Sequence, residues 1–519
     1  MNRTRHRKIP EEKNSFWKVL GIGLIFFFSL QALLAIPHLS ATTDEPVHLA
    51  AGYSYWQTRD FRINPEHPPL AKLIAALPLL FIKPAMATSG KDWDSSAEYP
   101  FAFSFLYGND ADRLLFWGRV PMIMLATVGC MITFLWATDL FGPLSGVFAA
   151  GMYAFCPNLL AHGMLITTDV PVATFSLLTL YLFWRQGSRP NWRTSLLTGL
   201  ALGAAMTSKY SGGLMPVLIA GLAGVRGLRQ TDRKHALIVE LQNLAVMAAA
   251  CVLVIGAAYL FSASPLLYFK NSALVNANHD PNYESYLLGE LKQGGWWYYF
   301  LAAFAFKATG AALILLLLAV VQTFSGLINR WGETILLVST GCYLVAVSAG
   351  ADDLGVRYLL PIFPLLYIWI SRIVPVYWRS GLGRMVLIVL LGAQIWAAIS
   401  SFPDYIPYFN ELAGGPKGGP AVLDDSNVDW GEGLKAVAAY VRDKRLENVV
   451  LCPFAGFENP RYYGLTSVVR PPKQLVFNTP VSGTYIISAH NVAWMKAVDP
   501  MWRRYQPVDR ISGMWVFHF

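Results

Sequence analysis

The chain has 519 residues, 55% of them hydrophobic and only 14% charged, with a mean hydropathy of +0.40. A soluble domain carries about a quarter charged residues, so the composition excludes an ordinary soluble enzyme and points to a polytopic membrane protein. The net charge of +9 is spread over short loops between apolar runs, which argues against nucleic acid, and the five cysteines (Cys130, Cys156, Cys251, Cys342, Cys452) have no metal-site or disulfide spacing.

A helix crosses the hydrocarbon core with about 20 apolar residues. Roughly eleven spans are expected on that measure, near 16–37, 112–137, 141–157, 170–184, 194–208, 211–225, 237–262, 297–321, 333–348, 357–372 and 385–402. The first, from Phe16 to Pro37, has no small-residue cleavage pattern and reads as an anchor. Lys and Arg in short loops set orientation. The basic N-terminus "MNRTRHRKIPEEK" is therefore placed in the cytoplasm, with the loops "RQGSRPNWR", "RGLRQTDRKH", "NRWGE" and "SRIVPVYWRSGLGR" on the same side.

Three segments then fall outside: 38–111, 263–296 and the tail 403–519. Residues 1–402 form the expected membrane domain. In the first outer segment, "NPEHPPLAKLIAALPLLF" predicts a helix opened by Pro68 and Pro69, with Leu70, Leu73, Ile74 and Leu77 on one face. It is short for a span and is expected in the interface plane. The second outer segment ends in "GWWYYF", an interfacial aromatic belt or a platform for a sugar face. The tail combines a helix, "GLKAVAAYVRDK", with strand-like runs "NVVLCPF", "GTYIISA" and "GMWVFHF", predicting a small α/β or α+β domain outside the membrane.

Ionisable residues inside spans are costly and mark function. Arg119, Lys209, Lys307 and Arg357 all fall in the outer half of their spans. At the same level lie Asp44 and Glu45 in "TTDEP" and Asp169 in "TTDVP". Each Thr-Thr-acid stretch with a following proline suits a helix N-terminus. A cap needs one acid, so the pair at 44–45 asks for more. Cations in one leaflet suit an anionic lipid head group, and a carboxylate beside them suits a general base or metal ligand. His48, His67 and Lys72 are candidate contacts to acceptor or donor.

The stretches "TTDEPVHLAAGYSYWQTRDFRINPEHPPLAKL", "GRVPM", "TTDVP", "TSKYS", "GWWYYFLAAFAFKATG" and "RYLLPIFPLLYI" resemble the GT-C superfamily of glycosyltransferases that use polyprenyl-phosphate sugars. The nearest groups are the protein O-mannosyltransferases and the lipid A aminoarabinose transferases. The resemblance implies that Asp44 is the catalytic acid, that Glu45 is its paired acid, that Arg119 binds the donor phosphate and that Asp169 is the second acid. Lys209, Lys307 and Arg357 join the phosphate site by membrane depth. Family members differ over a divalent ion, which Asp169 with Asp44 could hold. The tail lacks a trefoil-like repeat, which the resemblance sets against a protein acceptor. Its "SNVDWG" stretch matches a bacterial subset, with no role attached.

The expected function is inverting transfer of a sugar from a polyprenyl phosphate to an extracytoplasmic hydroxyl, at a bacterial inner membrane. The acceptor is a lipid, glycan or protein. A secondary transporter would instead show internal symmetry and midplane charges, and a membrane scaffold would use the tail for docking. The transferase reading requires the acids and cations to converge.

Overall fold

The computed structural model describes residues 11–188, 191–262, 264–278, 280–324, 331–455, 458–466, 480 and 482–519. The basic stretch before residue 11, and the loop arginines Arg189 and Arg330, lie outside these.

The protein is an integral membrane protein built mostly of helices. All eleven expected spans fall on helical segments. Six described helices are long and apolar enough to cross a membrane, or eight if two bent pairs each count as one span. The departures from eleven have local causes. Cys156 and Pro157 interrupt one span into Pro143–Ala154 and Pro157–Gly163, bent by 63°; proline cannot continue the helical hydrogen-bond ladder. The expected span 297–321 turns by 113° between Tyr299–Lys307 and the helix from Gly310. Asp169–Ser188 and Trp192–Ser208 are helices outside that set. The apolar stretch Ile362–Tyr377 is short of a full crossing.

The longest helix, Ala111–Phe141, begins where Asp110 accepts the Arg113 N–H at 3.0 Å and ends at Gly142, whose φ of 99° breaks the ladder. It carries Arg119 into the interior. Beside it stands Glu45–Thr58, which begins on the second acid of the pair with Asp44 as its N-cap and is buried over most of its length. The predicted interfacial helix is two pieces, Leu70–Ala76 and Leu79–Ile82, separated at Pro78. Leu73 is buried, whereas Leu77 and Phe81 project outward, 41% and 88% exposed. Gly52 lets these helices touch, since a Cβ there would meet the Lys72 carbonyl oxygen at 2.0 Å.

Two small sheets complete the fold. Strands β1 (Glu284–Leu287) and β2 (Glu290–Gln293) form an antiparallel hairpin. The tail holds β3 (Val450–Cys452), β4 (Thr484–Ser488), β5 (Asp509–Ile511) and β6 (Met514–His518) in the order β3-β4-β6-β5. β3 is parallel to β4, and the other pairs are antiparallel. Alternation along β4 feeds two cores: Ile486 joins Leu434, Val437 and Val516, while Tyr485 and Ile487 join Trp502 and Phe517. The helices Leu434–Asp443 and Ala489–Val498 cover the two faces.

Candidate active site

The two acids of "TTDEP" have different surroundings. Glu45 is fully buried. Its carboxylate takes two N–H groups of Arg119 (Nε 2.8 Å, Nη2 2.6 Å) and the backbone N–H groups of Thr42 (2.9 Å) and Ile166 (3.0 Å). Burial alone would raise its pKa, but the Arg119 pair and these amides hold it below the usual value. Arg119 is equally enclosed: Nη1 donates to Ile36 O and Leu39 O, both at 3.2 Å, and Nη2 also to Ser40 O at 2.6 Å. With Nε, all five guanidinium donors are taken. No N–H of Arg119 remains for a phosphate, and no lone pair of Glu45 for an acceptor.

Asp44 is at the helix N-cap but makes no side-chain cap bond. Its Oδ2 accepts Arg357 Nη1 at 3.1 Å, and its side chain keeps 26% exposure. Arg357, on the turn Val356–Leu359, is described in no other hydrogen bond, and its Nε is buried without a partner. The guanidinium lies 4.3 Å over the Trp430 ring and 5.5 Å from that of Tyr358. The other face of this centre is the Lys209–Asp169 ion pair, with Lys209 Nζ 4.3 Å from the same Tyr358 ring. Asp169 opens its helix, and Lys209 sits at the break before Tyr210–Gly213. Two acid–cation pairs thus meet around Tyr358.

The "NPEHPPLAK" stretch forms the rim. Lys72 is buried and its ammonium holds Tyr55 Oη (2.8 Å), Asn64 O (2.7 Å) and His67 O (2.8 Å), fixing the loop that presents His67. Burial lowers its pKa to about 7. Its donors are spent on this loop, so it positions His67 rather than reaching a substrate. His48 donates from Nδ1 to Ile166 O at 2.8 Å, which leaves Nε2 as the acceptor in the neutral ring. The His67 ring stands edge-on at 5.2 Å. Burial pushes both imidazoles below their ordinary pKa, and for His67 the charges of His48 and Lys209 add to this.

Lys307 is the third cation, after Arg119 and Lys72, whose expected role does not match its contacts. Its buried ammonium donates to Ile406 O (2.7 Å) and Asn427 O (2.8 Å) and lies 4.4 Å over Phe409. It ties the bent helix to the tail. Nor do Asp44 and Asp169 suit a divalent ion. Each carboxylate faces a cation at ion-pair distance, so positive charge already stands where a metal would. No group of three or more His, Cys, Asp or Glu with metal-binding geometry exists among the described residues.

The residues that sequence reasoning missed are Trp430 and Tyr358, which shape the cation cluster. The aromatic "RY" and "DW" pairs were visible in the sequence, but their long-range partners were not. A cleft of about 250 Å³ lined by Asp353, Leu354, Asp424 and His490 opens beside the loop carrying Arg357.

Residues 111–268 match the family model described as dolichyl-phosphate-mannose-protein mannosyltransferase. No curated protein matches the chain. The structure is similar to crystal structures of ArnT from Cupriavidus metallidurans, in the apo state (12% identity, TM-score 0.51) and bound to undecaprenyl phosphate (11% identity, TM-score 0.51). Both alignments cover 97% of this chain and 98% of the other. The Archaeoglobus fulgidus oligosaccharyltransferase aligns over 95% of this chain and 73% of its own, with 11% identity and a TM-score of 0.47. The chain has the fold of ArnT.

Proposed function

We propose that the chain is a membrane glycosyltransferase that moves a sugar from a polyprenyl phosphate to a hydroxyl acceptor. The observation that carries this reading is the Asp44–Arg357 pair. One partner is a half-open carboxylate with Oδ1 uncommitted, and the other is a guanidinium with unused N–H groups. The family match and the shared fold with a structure that binds undecaprenyl phosphate support a lipid-phosphate donor.

In the proposed step, Asp44 takes the proton of the acceptor hydroxyl as its oxygen attacks the anomeric carbon. The bond to the phosphate oxygen breaks on the opposite face, inverting the centre. Arg357, assisted by Lys209, holds the charge that develops on the leaving phosphate. Arg119 and Lys307 leave the phosphate site in this account, and Glu45 becomes a structural acid. His48 Nε2 and His67 are placed to accept or donate hydrogen bonds to the sugar or acceptor. We place the site on the outer face of a bacterial inner membrane, following the loop charges, and leave sugar and acceptor open among lipid, glycan and protein.

The test is Asp44→Asn in reconstituted enzyme with a radiolabelled polyprenyl-phosphate sugar. Transfer should fall by about 10³-fold with folding intact. Full turnover in that variant would sink the assignment.

A further inference from the structure

Asp44 and Arg357 are 313 positions apart, yet a single short stretch of the tail touches the surroundings of both. That stretch is "SNVDWGEG", residues 426–433.

On the arginine side, Asn427 is fully buried and its Oδ1 accepts the Val356 N–H at 2.9 Å. Its Nδ2 donates to Tyr299 Oη (3.1 Å) and Asp424 O (2.9 Å), which fixes the orientation of the amide. Ser426 Oγ donates to Leu354 O at 2.7 Å. Between these contacts sits Gly355, at φ 141°, where a Cβ would meet Ser426 Oγ at 2.7 Å. The backbone of 354–356 is therefore laid directly on the strap, and Arg357 leaves it over the Trp430 ring.

On the acid side, Trp430 O accepts the Thr43 N–H at 3.0 Å, one residue before Asp44. Gly431 O accepts Ser40 Oγ (2.9 Å) and Glu432 O accepts Ser40 N (2.9 Å). The strap is locked on itself, because Glu432 Oε2 accepts Trp430 N and Asp429 Oδ1 accepts Gly431 N. Lys307 holds its Asn427 carbonyl.

We infer that the 426–433 strap is a positioning element for the reaction: Trp430 and Asn427 hold the Arg357 guanidinium in register with the Asp44 carboxylate. This rests on the reading of Arg357 as a phosphate ligand. The indole face supplies the counter-surface for the guanidinium, and the Thr43 contact ties the backbone of the same residue to the segment carrying the acid.

The experiment measures binding of undecaprenyl phosphate to the full-length protein in detergent, for wild type, Trp430→Leu, Trp430→Phe, Arg357→Gln and both Trp430 variants combined with Arg357→Gln. Trp430→Leu should weaken binding about tenfold and Trp430→Phe about threefold, with the melting temperature held. Neither change should weaken it further once Arg357 is Gln, because Trp430 acts through Arg357. Equal losses in both backgrounds, or folded Trp430 variants that bind as wild type, overturn the strap inference. Should Trp430→Leu fail to fold, the milder Trp430→Phe cycle decides by the same criterion. If Arg357→Gln itself binds as wild type, the phosphate assignment fails, and the strap's role in it fails with it.

Discussion

Two adjacent carboxylates each meet an arginine, and the two pairs serve opposite ends. Glu45–Arg119 is sealed: every donor and every acceptor site is filled, and both side chains are at most 1% exposed. Asp44–Arg357 is half open, with side-chain exposures of 26% and 12%. A saturated buried pair can orient a backbone but cannot change partners, while an unsaturated, partly exposed one can. The sealed pair joins Ile36–Ser40, Thr42 and Ile166 to the long helix. It builds the floor on which the open pair stands.

Breaking each pair should separate these roles. Glu45→Gln leaves the Arg119 charge buried without its counter-ion, and should lower stability by about 3–5 kcal/mol, read as a large fall in melting temperature or loss of extractable protein. An Asp44→Asn variant that loses as much stability would erase the distinction. Arg357→Gln should reduce transfer about 100-fold by removing charge stabilisation of the leaving phosphate, with its melting temperature close to wild type. In the proposed step Lys209 assists Arg357, so Lys209→Gln should cost about tenfold in turnover; a larger loss than at Arg357 would move the primary phosphate ligand.

The smallest effect is pH dependence. His48 and His67 have folded pKa values depressed below 6.5. The unfolded chain therefore binds protons first as pH falls. Their contribution to stability is complete above about pH 6.5 and is lost as pH falls from there toward the folded values. Melting temperature should decline below that pH, and His67→Gln should shallow the decline.

The sequence carried the level of the charges but not their partners. Arg119, Lys209, Lys307 and Arg357 have the same apparent depth, and nothing local separates a filled guanidinium from an open one. The distinction depends on Ile36–Ser40 carbonyls for Arg119 and on Ile406 and Asn427 carbonyls for Lys307. "TTDEP" marked the right helix start, yet which acid stays partly exposed follows from a contact 313 residues away. Apolar runs located the eleven expected spans on helical segments but not the helices Glu98–Tyr107, Leu266–Asn278 and Ala489–Val498, and the bends at Pro157 and after Lys307 are set by backbone breaks that composition does not show. Three of the tail strands, β3, β4 and β6, were legible as short apolar runs, whereas β5 was not. The purpose of "SNVDWG" was not, since its neighbours are the loops at 40–43 and 354–356.

The bend after Lys307 leaves helix-end carbonyls without N–H partners from a following turn. Asn410 covers them: Nδ2 donates to Ala305 O (2.6 Å) and Ala308 O (2.7 Å), and its N–H to Phe306 O (3.0 Å). The residue that plugs this gap in the bundle belongs to the segment after the last span. A chain cut at residue 402 would leave those carbonyls without these donors. The tail is thus not a detachable module, and swapping it between relatives would succeed only if residues 403–434 stayed with the membrane part.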